Sequence, residues 1–119
     1  MDELKKWLRE NNRELTLENI SLFDKEIEIM KCMNSDFFIL KFEAIWCKPC
    51  KMMNVIIKEV VEETNCLCIS IDIEEFPELA EKFNVNSVPT IKIYRKGECL
   101  ETFIGLKPKS KIMNVFNEK

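Results

Sequence analysis

The stretch Trp46-Cys47-Lys48-Pro49-Cys50 decides the fold, and its meaning depends on the residues on either side. Residues 37–42, Phe-Phe-Ile-Leu-Lys-Phe, form a short apolar and aromatic run of the kind found in buried strands. Residues 51–63 predict a helix, because their apolar side chains recur at helical spacing. The two cysteines therefore fall on a turn from strand to helix, with Cys47 at or near the helix N-terminus.

A Cys-X-X-Cys pair in this position favours redox chemistry. Unpaired backbone N–H groups and the positive end of the helix dipole stabilise a thiolate there, and the thiolate is the reactive form of cysteine. The alternatives are a metal site and inert burial as two small apolar side chains. A zinc site usually takes two pairs of ligands, whereas this chain has no His. We therefore expect a redox dithiol, with no metal and no bound cofactor. The remaining cysteines are interpreted as buried or incidental thiols: Cys32, Cys66, Cys68 and Cys99.

The composition limits the class of protein. A chain of 119 residues, 46% hydrophobic and 33% charged, fits a single globular domain. The net charge of -3 lacks the basic excess typical of nucleic-acid binding. No run approaches the roughly 20 apolar residues of a membrane span, and the first ten residues are too charged for a secretory signal. We therefore expect a cytoplasmic protein with neither nucleic-acid nor membrane partners. Without such a signal, six cysteines also argue against a disulfide framework.

The first part of the chain predicts helix, extended segment and helix. Leu4, Trp7 and Leu8 stand at i, i+3, i+4 spacing, which indicates a short amphipathic helix over residues 2–12. Residues 14–23 are mixed, and their leucines and isoleucine suggest an extended segment. Asp24 is then expected as the N-cap of a helix.

After the two cysteines the pattern alternates between strands and helices. Strands are predicted at residues 66–72, 90–94 and 100–104, and helices at 77–83 and 107–119. The last two strands form an antiparallel hairpin across Lys96-Gly97-Glu98. The order predicts an α/β fold with a central mixed sheet of four to five strands and helices on both faces.

With these elements in place, the chain resembles a thioredoxin. The residues that carry the resemblance are the strand followed by Trp46 to Lys51, and Ser87-Val88-Pro89-Thr90 some forty residues later. Lys96-Gly97-Glu98 and Phe103-Ile104-Gly105 add weaker support. The resemblance implies the thioredoxin fold over residues 18–119, with residues 1–17 as an N-terminal helical extension.

The resemblance also implies a role for each residue of the site. Cys47 matches the exposed nucleophile that attacks a substrate disulfide, and Cys50 matches the thiol that resolves the mixed disulfide. Pro89 matches a proline whose preceding peptide bond is cis and faces the dithiol. The substrate-docking positions implied in this way are Trp46, Val88, Pro89 and Gly105.

Three residues depart from the family pattern, while Pro49 keeps it. Lys48 replaces a usual glycine, and a cation beside Cys47 favours the thiolate and so a weaker reductant. Lys41 stands where the family has a buried aspartate, and Glu43 where an aromatic residue is usual. On a strand these two side chains share a face. Either Lys41 reaches solvent or pairs with Glu43 and the enzyme lacks its proton acceptor, or Glu43 takes over as acid and base while Lys41 holds the thiolates electrostatically.

We therefore predict a protein thiol–disulfide oxidoreductase that reduces substrate disulfides through Cys47 and Cys50. The resemblance implies disulfide-containing protein substrates, a thioredoxin reductase as electron donor, and a monomer. Two alternatives stay open. One is a thioredoxin-like oxidase or isomerase with a less reducing potential, and the other is a non-catalytic interaction module that uses the N-terminal helix.

Overall fold

The computed structural model describes residues 2–117, so the predicted end of the last helix at 118–119 lies outside the described residues. The chain divides into two compact units, the first ending at Cys32 and the second beginning at Met33. The predicted domain boundary between residues 17 and 18 stays a prediction. In chain order the elements are α1 Asp2–Glu10, α2 Leu17–Met33, β1 Phe38–Glu43, α3 Lys48–Thr64, β2 Leu67–Asp72, α4 Pro77–Lys82, β3 Thr90–Arg95, β4 Glu98–Ile104 and α5 Lys109–Asn117.

The first unit consists of two helices, and the amphipathic helix predicted near the N-terminus is present as α1. Leu4 and Leu8 are buried, as their spacing predicts. The Trp7 ring meets the Phe23 ring edge to face, with centroids 5.5 Å apart. The aromatic side chain on the apolar side of α1 thus packs against α2 of the same unit.

The extended segment predicted at residues 14–23 is wrong, because α2 already begins at Leu17. Thr16 is its N-cap: the Thr16 hydroxyl accepts the backbone N–H of Asn19 at 3.1 Å. The Thr16 carbonyl accepts the first helical bond, from Ile20 N–H at 2.9 Å. Asp24 therefore lies inside the helix and does not cap it. A hydroxyl that accepts an otherwise unpaired N–H stabilises the start of a helix by about 1 kcal/mol. The pattern of apolar residues does not reveal this capping contribution.

The second unit is built on a mixed four-stranded sheet in the order β2-β1-β3-β4. Strands β1 and β2 run parallel, while β3 is antiparallel to both β1 and β4. Ile39 of β1 lies in a core cluster with side chains of α3 and α5. Phe42 faces the other way, and its ring lies 5.8 Å from that of Phe83 at the end of α4. The sheet is therefore flanked by helices on both faces, as predicted, and has four strands.

This packing fixes the place where β1 ends and α3 begins. Phe38, Ile39, Leu40 and Phe42 have almost no exposed surface, so β1 is held rigidly in the centre of the sheet. Met53 and Val60 on the inner side of α3 are equally buried. Only residues 44–47 connect the two elements, so the turn that carries the cysteines has little freedom. Among the described residues, no helix has the length and apolar character needed to cross a membrane.

Candidate active site

Cys47 is the N-cap of α3, and Cys50 lies in its first turn. The Cys47 sulfur accepts the backbone N–H of Cys50 at 3.1 Å, while Cys47 N–H donates to the carbonyl of Ala44 at 3.2 Å. Pro49 stands in the first helical turn, where a missing N–H costs no helical bond. The two cysteines form a disulfide with their Cα atoms 5.2 Å apart. Sequence and structure therefore agree on a redox pair at a helix N-terminus.

Both sulfurs are shielded from solvent in this oxidised form. Cys47 is 4% exposed and Cys50 is 2% exposed, and both cluster with Ala44. The exposure that the resemblance implies for Cys47 is thus not present while its sulfur is bonded to Cys50. The side chain that precedes the pair is accessible to solvent instead, because Trp46 is 63% exposed. Its indole N–H donates to a carboxylate oxygen of Glu74 at 2.9 Å, which fixes the ring beside the disulfide.

The peptide bond between Val88 and Pro89 is cis, as predicted. Val88 packs against the cluster that contains both cysteines, so this loop lies next to the disulfide. Gly105 N–H donates to the Pro89 carbonyl at 2.9 Å, and its φ of +86° favours glycine. The Thr90 hydroxyl donates to the Ser87 carbonyl at 2.7 Å. Across residues 2–117, neither backbone group of Val88 forms a backbone hydrogen bond.

Beneath the dithiol, Lys41 and Glu43 pair as their positions on β1 predict. The Lys41 ammonium lies 3.7 Å from one carboxylate oxygen of Glu43, and Lys41 is 8% exposed. The same ammonium donates to the side-chain carbonyl of Asn54 at 2.5 Å. The Glu43 oxygen nearest Lys41 is buried and accepts no hydrogen bond from any described residue. Lys41 therefore does not reach solvent; two side chains hold it inside.

Asn54 is a site residue that the sequence interpretation missed. It lies one helical turn after Cys50, at i, i+4 spacing, so both face the end of β1. The signal in the sequence was a polar residue directly after Met53, a side chain that the structure shows to be buried. Glu43, Cys50 and Asn54 line one cavity of about 230 Å³, which Ala44, Ile45, Lys51 and Asp72 complete. The cavity links the carboxylate to the second cysteine.

The other cysteines do not join this site as ligands. Cys32, Cys66 and Cys68 are partly buried and Cys99 is exposed, and all four are free thiols. Burial raises the pKa of the Cys68 thiol to about 11, although the nearby Lys41 ammonium acts in the opposite direction. Within residues 2–117, no group of three or more His, Cys, Asp or Glu side chains is arranged to hold a metal ion.

Comparison with known proteins places this geometry in a family. A sequence model of the family described as Thioredoxin matches residues 14–118. The thioredoxin of Listeria monocytogenes is 38% identical over 79 residues, which are 65% of this chain and 77% of that protein. The thioredoxin of Rickettsia felis is 34% identical over 101 residues, covering 82% of this chain and 91% of its own length.

Comparison with solved structures gives the same result as the sequence comparison. A point mutant of thioredoxin from Halobacterium salinarum superposes with a TM-score of 0.71 at 28% identity, covering 75% of this chain and 80% of that one. The oxidised thioredoxin of Plasmodium falciparum gives a TM-score of 0.66 at 29% identity, covering 77% and 89%. With a cysteine pair at disulfide distance on the same fold, this chain belongs to the thioredoxin family and acts as a protein thiol–disulfide oxidoreductase, a protein-disulfide reductase.

Proposed function

We propose that Cys47 and Cys50 divide the reduction of protein disulfides into an attacking and a resolving step. In the reduced protein, the Cys47 thiolate attacks one sulfur of the substrate disulfide. That S–S bond breaks, a bond between Cys47 and the substrate forms, and the other substrate sulfur leaves as a thiolate that takes up a proton. Cys50 then attacks the Cys47 sulfur and releases the second substrate thiol. Two electrons pass to the substrate and leave the Cys47–Cys50 disulfide.

The observation that carries this assignment is the position of Cys47 as N-cap of α3. The Cys50 N–H points at the Cys47 sulfur from 3.1 Å, and a negative sulfur gains from that hydrogen bond and from the helix dipole. Cys50 is the third residue of the helix, and its sulfur accepts no equivalent hydrogen bond within the described chain. Cys47 is therefore the better thiolate at neutral pH.

A trapping experiment tests the order of the two steps. In a Cys50→Ser variant, the mixed disulfide between Cys47 and a substrate protein has no resolving thiol and accumulates. Cys47→Ser is the matched control, and it should trap at least about tenfold less, because Cys50 lacks the N-cap position. Equal trapping by both variants would contradict the assignment.

We propose that substrates dock as an extended segment beside Val88. Its N–H and C=O have no backbone partner in residues 2–117, and its side chain packs beside the disulfide. Trp46, Pro89 and Gly105 are proposed to form the rest of the docking surface. Recognition through main-chain hydrogen bonds suits a reductase that meets many sequences around a disulfide.

We propose that Glu43 accepts the proton of the resolving thiol. Glu43 and Cys50 line the same cavity, and its volume of about 230 Å³ is large enough for water molecules to link them. An acid/base group works either in direct contact or through one such water. Lys41 is then proposed to position the carboxylate through their ion pair, and the side chain of Asn54 positions Lys41.

Single-turnover kinetics test this role. Glu43→Gln should slow release of the mixed disulfide at least about tenfold near neutral pH, and alkaline pH should restore the rate, because the loss of a positioned base costs about 10²-fold or more. The attack by Cys47 is the internal control and should change little. A Lys41→Asp variant supplies the carboxylate that the family usually has. If its resolving rate equals that of the wild type, the missing aspartate does not limit the reaction.

The remaining assignments are proposals that rest on family membership. A thioredoxin reductase is proposed as the electron donor, and four free thiols suit a reducing compartment such as the cytoplasm. Lys48 supports a second candidate, a less reducing oxidase or isomerase, because its exposed cation stands next to Cys47. The measured reduction potential of the Cys47–Cys50 pair separates the two.

A further inference from the structure

The side-chain amide of Asn54 has a fixed orientation in the site. Its carbonyl oxygen accepts a hydrogen bond from the Lys41 ammonium at 2.5 Å. An ammonium group has only donors, so the oxygen of the amide must face Lys41 and the amide nitrogen, Nδ2, forms the other branch. Within residues 2–117 the two hydrogens of Nδ2 have no hydrogen-bond partner. A held amide therefore presents two unused donors.

The place of Asn54 on α3 directs these donors towards Cys50. The two residues stand at i, i+4 spacing, which puts their side chains on the same face of the helix with Cβ atoms about 5–6 Å apart. Helical side chains lean towards the helix N-terminus, so Asn54 leans over the turn that holds Cys50. Both line the cavity of about 230 Å³, and all residues around that cavity belong to the second unit.

The charges around this cavity show why a donor to Cys50 matters. Glu43 of β1, Asp72 of β2 and Lys51 of α3 line it, and Lys41 is paired with the Glu43 carboxylate. The Cys50 sulfur accepts no hydrogen bond within the described chain. A thiolate at this position forms near two carboxylates, so it depends on donors that are aimed at its sulfur.

We propose that Asn54 donates a hydrogen bond from Nδ2 to the Cys50 thiolate in the resolving step. This inference rests on the proposed function, in which Cys50 passes its proton to Glu43 and attacks the Cys47 sulfur of the mixed disulfide. The Cys47–Cys50 bond forms, the bond from Cys47 to the substrate breaks, and the substrate sulfur leaves as a thiolate that takes up a proton. Asn54 exchanges no atom or electron; it stabilises the charge on the attacking sulfur.

Lys41 strengthens this donor from the other end of the amide. A carbonyl oxygen that accepts from a cation polarises its amide, and hydrogen bonds in series reinforce one another. The series from Lys41 through Asn54 to Cys50 lets the cation favour the thiolate without touching it. Asn54 thus has two separable roles, one for each branch of its amide.

The fraction of Cys50 present as thiolate tests the hydrogen bond. In a Cys47→Ser background, iodoacetamide alkylation of Cys50 is followed by peptide mapping from neutral to alkaline pH, and the rate relative to the alkaline plateau gives that fraction. Asn54→Ala should lower it about tenfold at neutral pH, because a hydrogen bond to a charge changes an equilibrium by roughly that factor. Val55→Ala is the matched control, since Val55 is 60% exposed and lies outside the cavity. An unchanged fraction in Asn54→Ala would overturn the proposal.

A Lys41→Met background separates the two branches of the amide. If Asn54 acts only by holding Lys41, Asn54→Ala will cause no further loss of thiolate once the ammonium is gone. A direct hydrogen bond predicts that most of the loss remains in this background. The absence of any further loss would overturn the proposal and leave Asn54 with its contact to Lys41 alone.

Release of the mixed disulfide gives the kinetic readout. With Cys47 and Cys50 intact, Asn54→Ala should slow release about threefold at neutral pH, because a more basic thiolate is less abundant but also more nucleophilic. Alkaline pH should restore the rate. The Cys50→Ser trap tests the order of the two thiols separately: equal trapping by both cysteine variants would refute that order, whereas normal trapping with an unchanged thiolate fraction would refute the hydrogen bond alone.

Discussion

The pair beneath the dithiol makes a quantitative prediction about stability. Lys41 is 8% exposed, and it holds both the Glu43 carboxylate and the Asn54 side chain. The informative changes are Lys41→Met, which keeps most of the volume but removes the charge, and Glu43→Gln, which keeps the shape of the side chain. The two single variants and the double variant form a thermodynamic cycle.

The magnitude follows from the separation of the charges. At 3.7 Å, Coulomb's law gives about 4.5 kcal/mol for an effective dielectric constant of about 20. Part of this attraction offsets the loss of hydration of two charges whose side chains are only 10% and 26% exposed. We therefore expect a coupling free energy of about 1–3 kcal/mol, with each single variant destabilised because it leaves one partly buried charge without its partner.

Urea unfolding of the oxidised proteins at neutral pH measures all four free energies of unfolding. The double variant should lose less stability than the sum of the single variants, and added salt should change the coupling little, because a pair away from solvent is weakly screened. A coupling below about 0.5 kcal/mol would refute the reasoning. It would mean that the charges of Lys41 and Glu43 do not interact measurably in solution.

Three further predictions concern other parts of the chain. Lys48→Gly should lower the reduction potential of the Cys47–Cys50 pair by at most about 20 mV, measured against glutathione. An exposed cation contributes at most about 1 kcal/mol, and a two-electron couple changes by about 30 mV per 1.4 kcal/mol. A rise in the potential would contradict the assigned sign. Burial raises the pKa of the Cys68 thiol from 9.0 to about 11, so its contribution to stability is complete below pH 9 and is lost as the pH rises to about 11. Denaturant unfolding across that range should show a loss of up to about 3 kcal/mol that Cys68→Ala removes, and an unchanged slope in that variant would count against it. Thr16→Ala should destabilise α2 by about 1 kcal/mol, whereas Thr16→Ser, which keeps the capping hydroxyl, should cost much less by thermal unfolding; equal losses would show that the hydroxyl bond is not the cause.

The parts of the fold that the sequence predicts well are those where local and tertiary preferences agree. The run that becomes β1 is apolar on both faces, and the sheet covers it on both faces, so its burial matches its composition. The turn that follows is restricted by Pro49 and by the N-cap position of Cys47. Each signal comes from neighbouring residues and agrees with the element that the tertiary packing forms there. For this reason the bounds of β1 and the start of α3 were close to those expected.

Residues 14–23 show where this reasoning fails. Leu15 and Leu17 contributed to the apparent alternation, yet they are 63% and 86% exposed. An apolar residue that is not buried carries no information about which face of an element is inside. The deciding contact is a single hydroxyl bond from Thr16, and its energy is comparable to the small differences in propensity that separate helix from strand.

The arrangement beneath the dithiol required contacts between distant segments. The sequence places Lys41 and Glu43 on one face of β1, which is a local property of strands. It does not show that Asn54 of α3 comes within hydrogen-bonding distance of Lys41, because that depends on how the helix lies on the sheet. The cavity that Glu43 and Cys50 both line also depends on how α3 lies on the sheet.

These contacts change the meaning of the missing aspartate. A lone buried carboxylate in the usual position brings one negative charge to the base of the dithiol, whereas this chain brings a carboxylate and an ammonium whose charges cancel. In the role that we propose for Glu43, the acceptor is displaced by two residues along the same face of β1, and Lys41 stands where the family has its aspartate. A neutral pair opposes a second negative charge on Cys50 less than a lone carboxylate does. The same substitution that removes the usual proton acceptor therefore also eases formation of the thiolate that the resolving step needs.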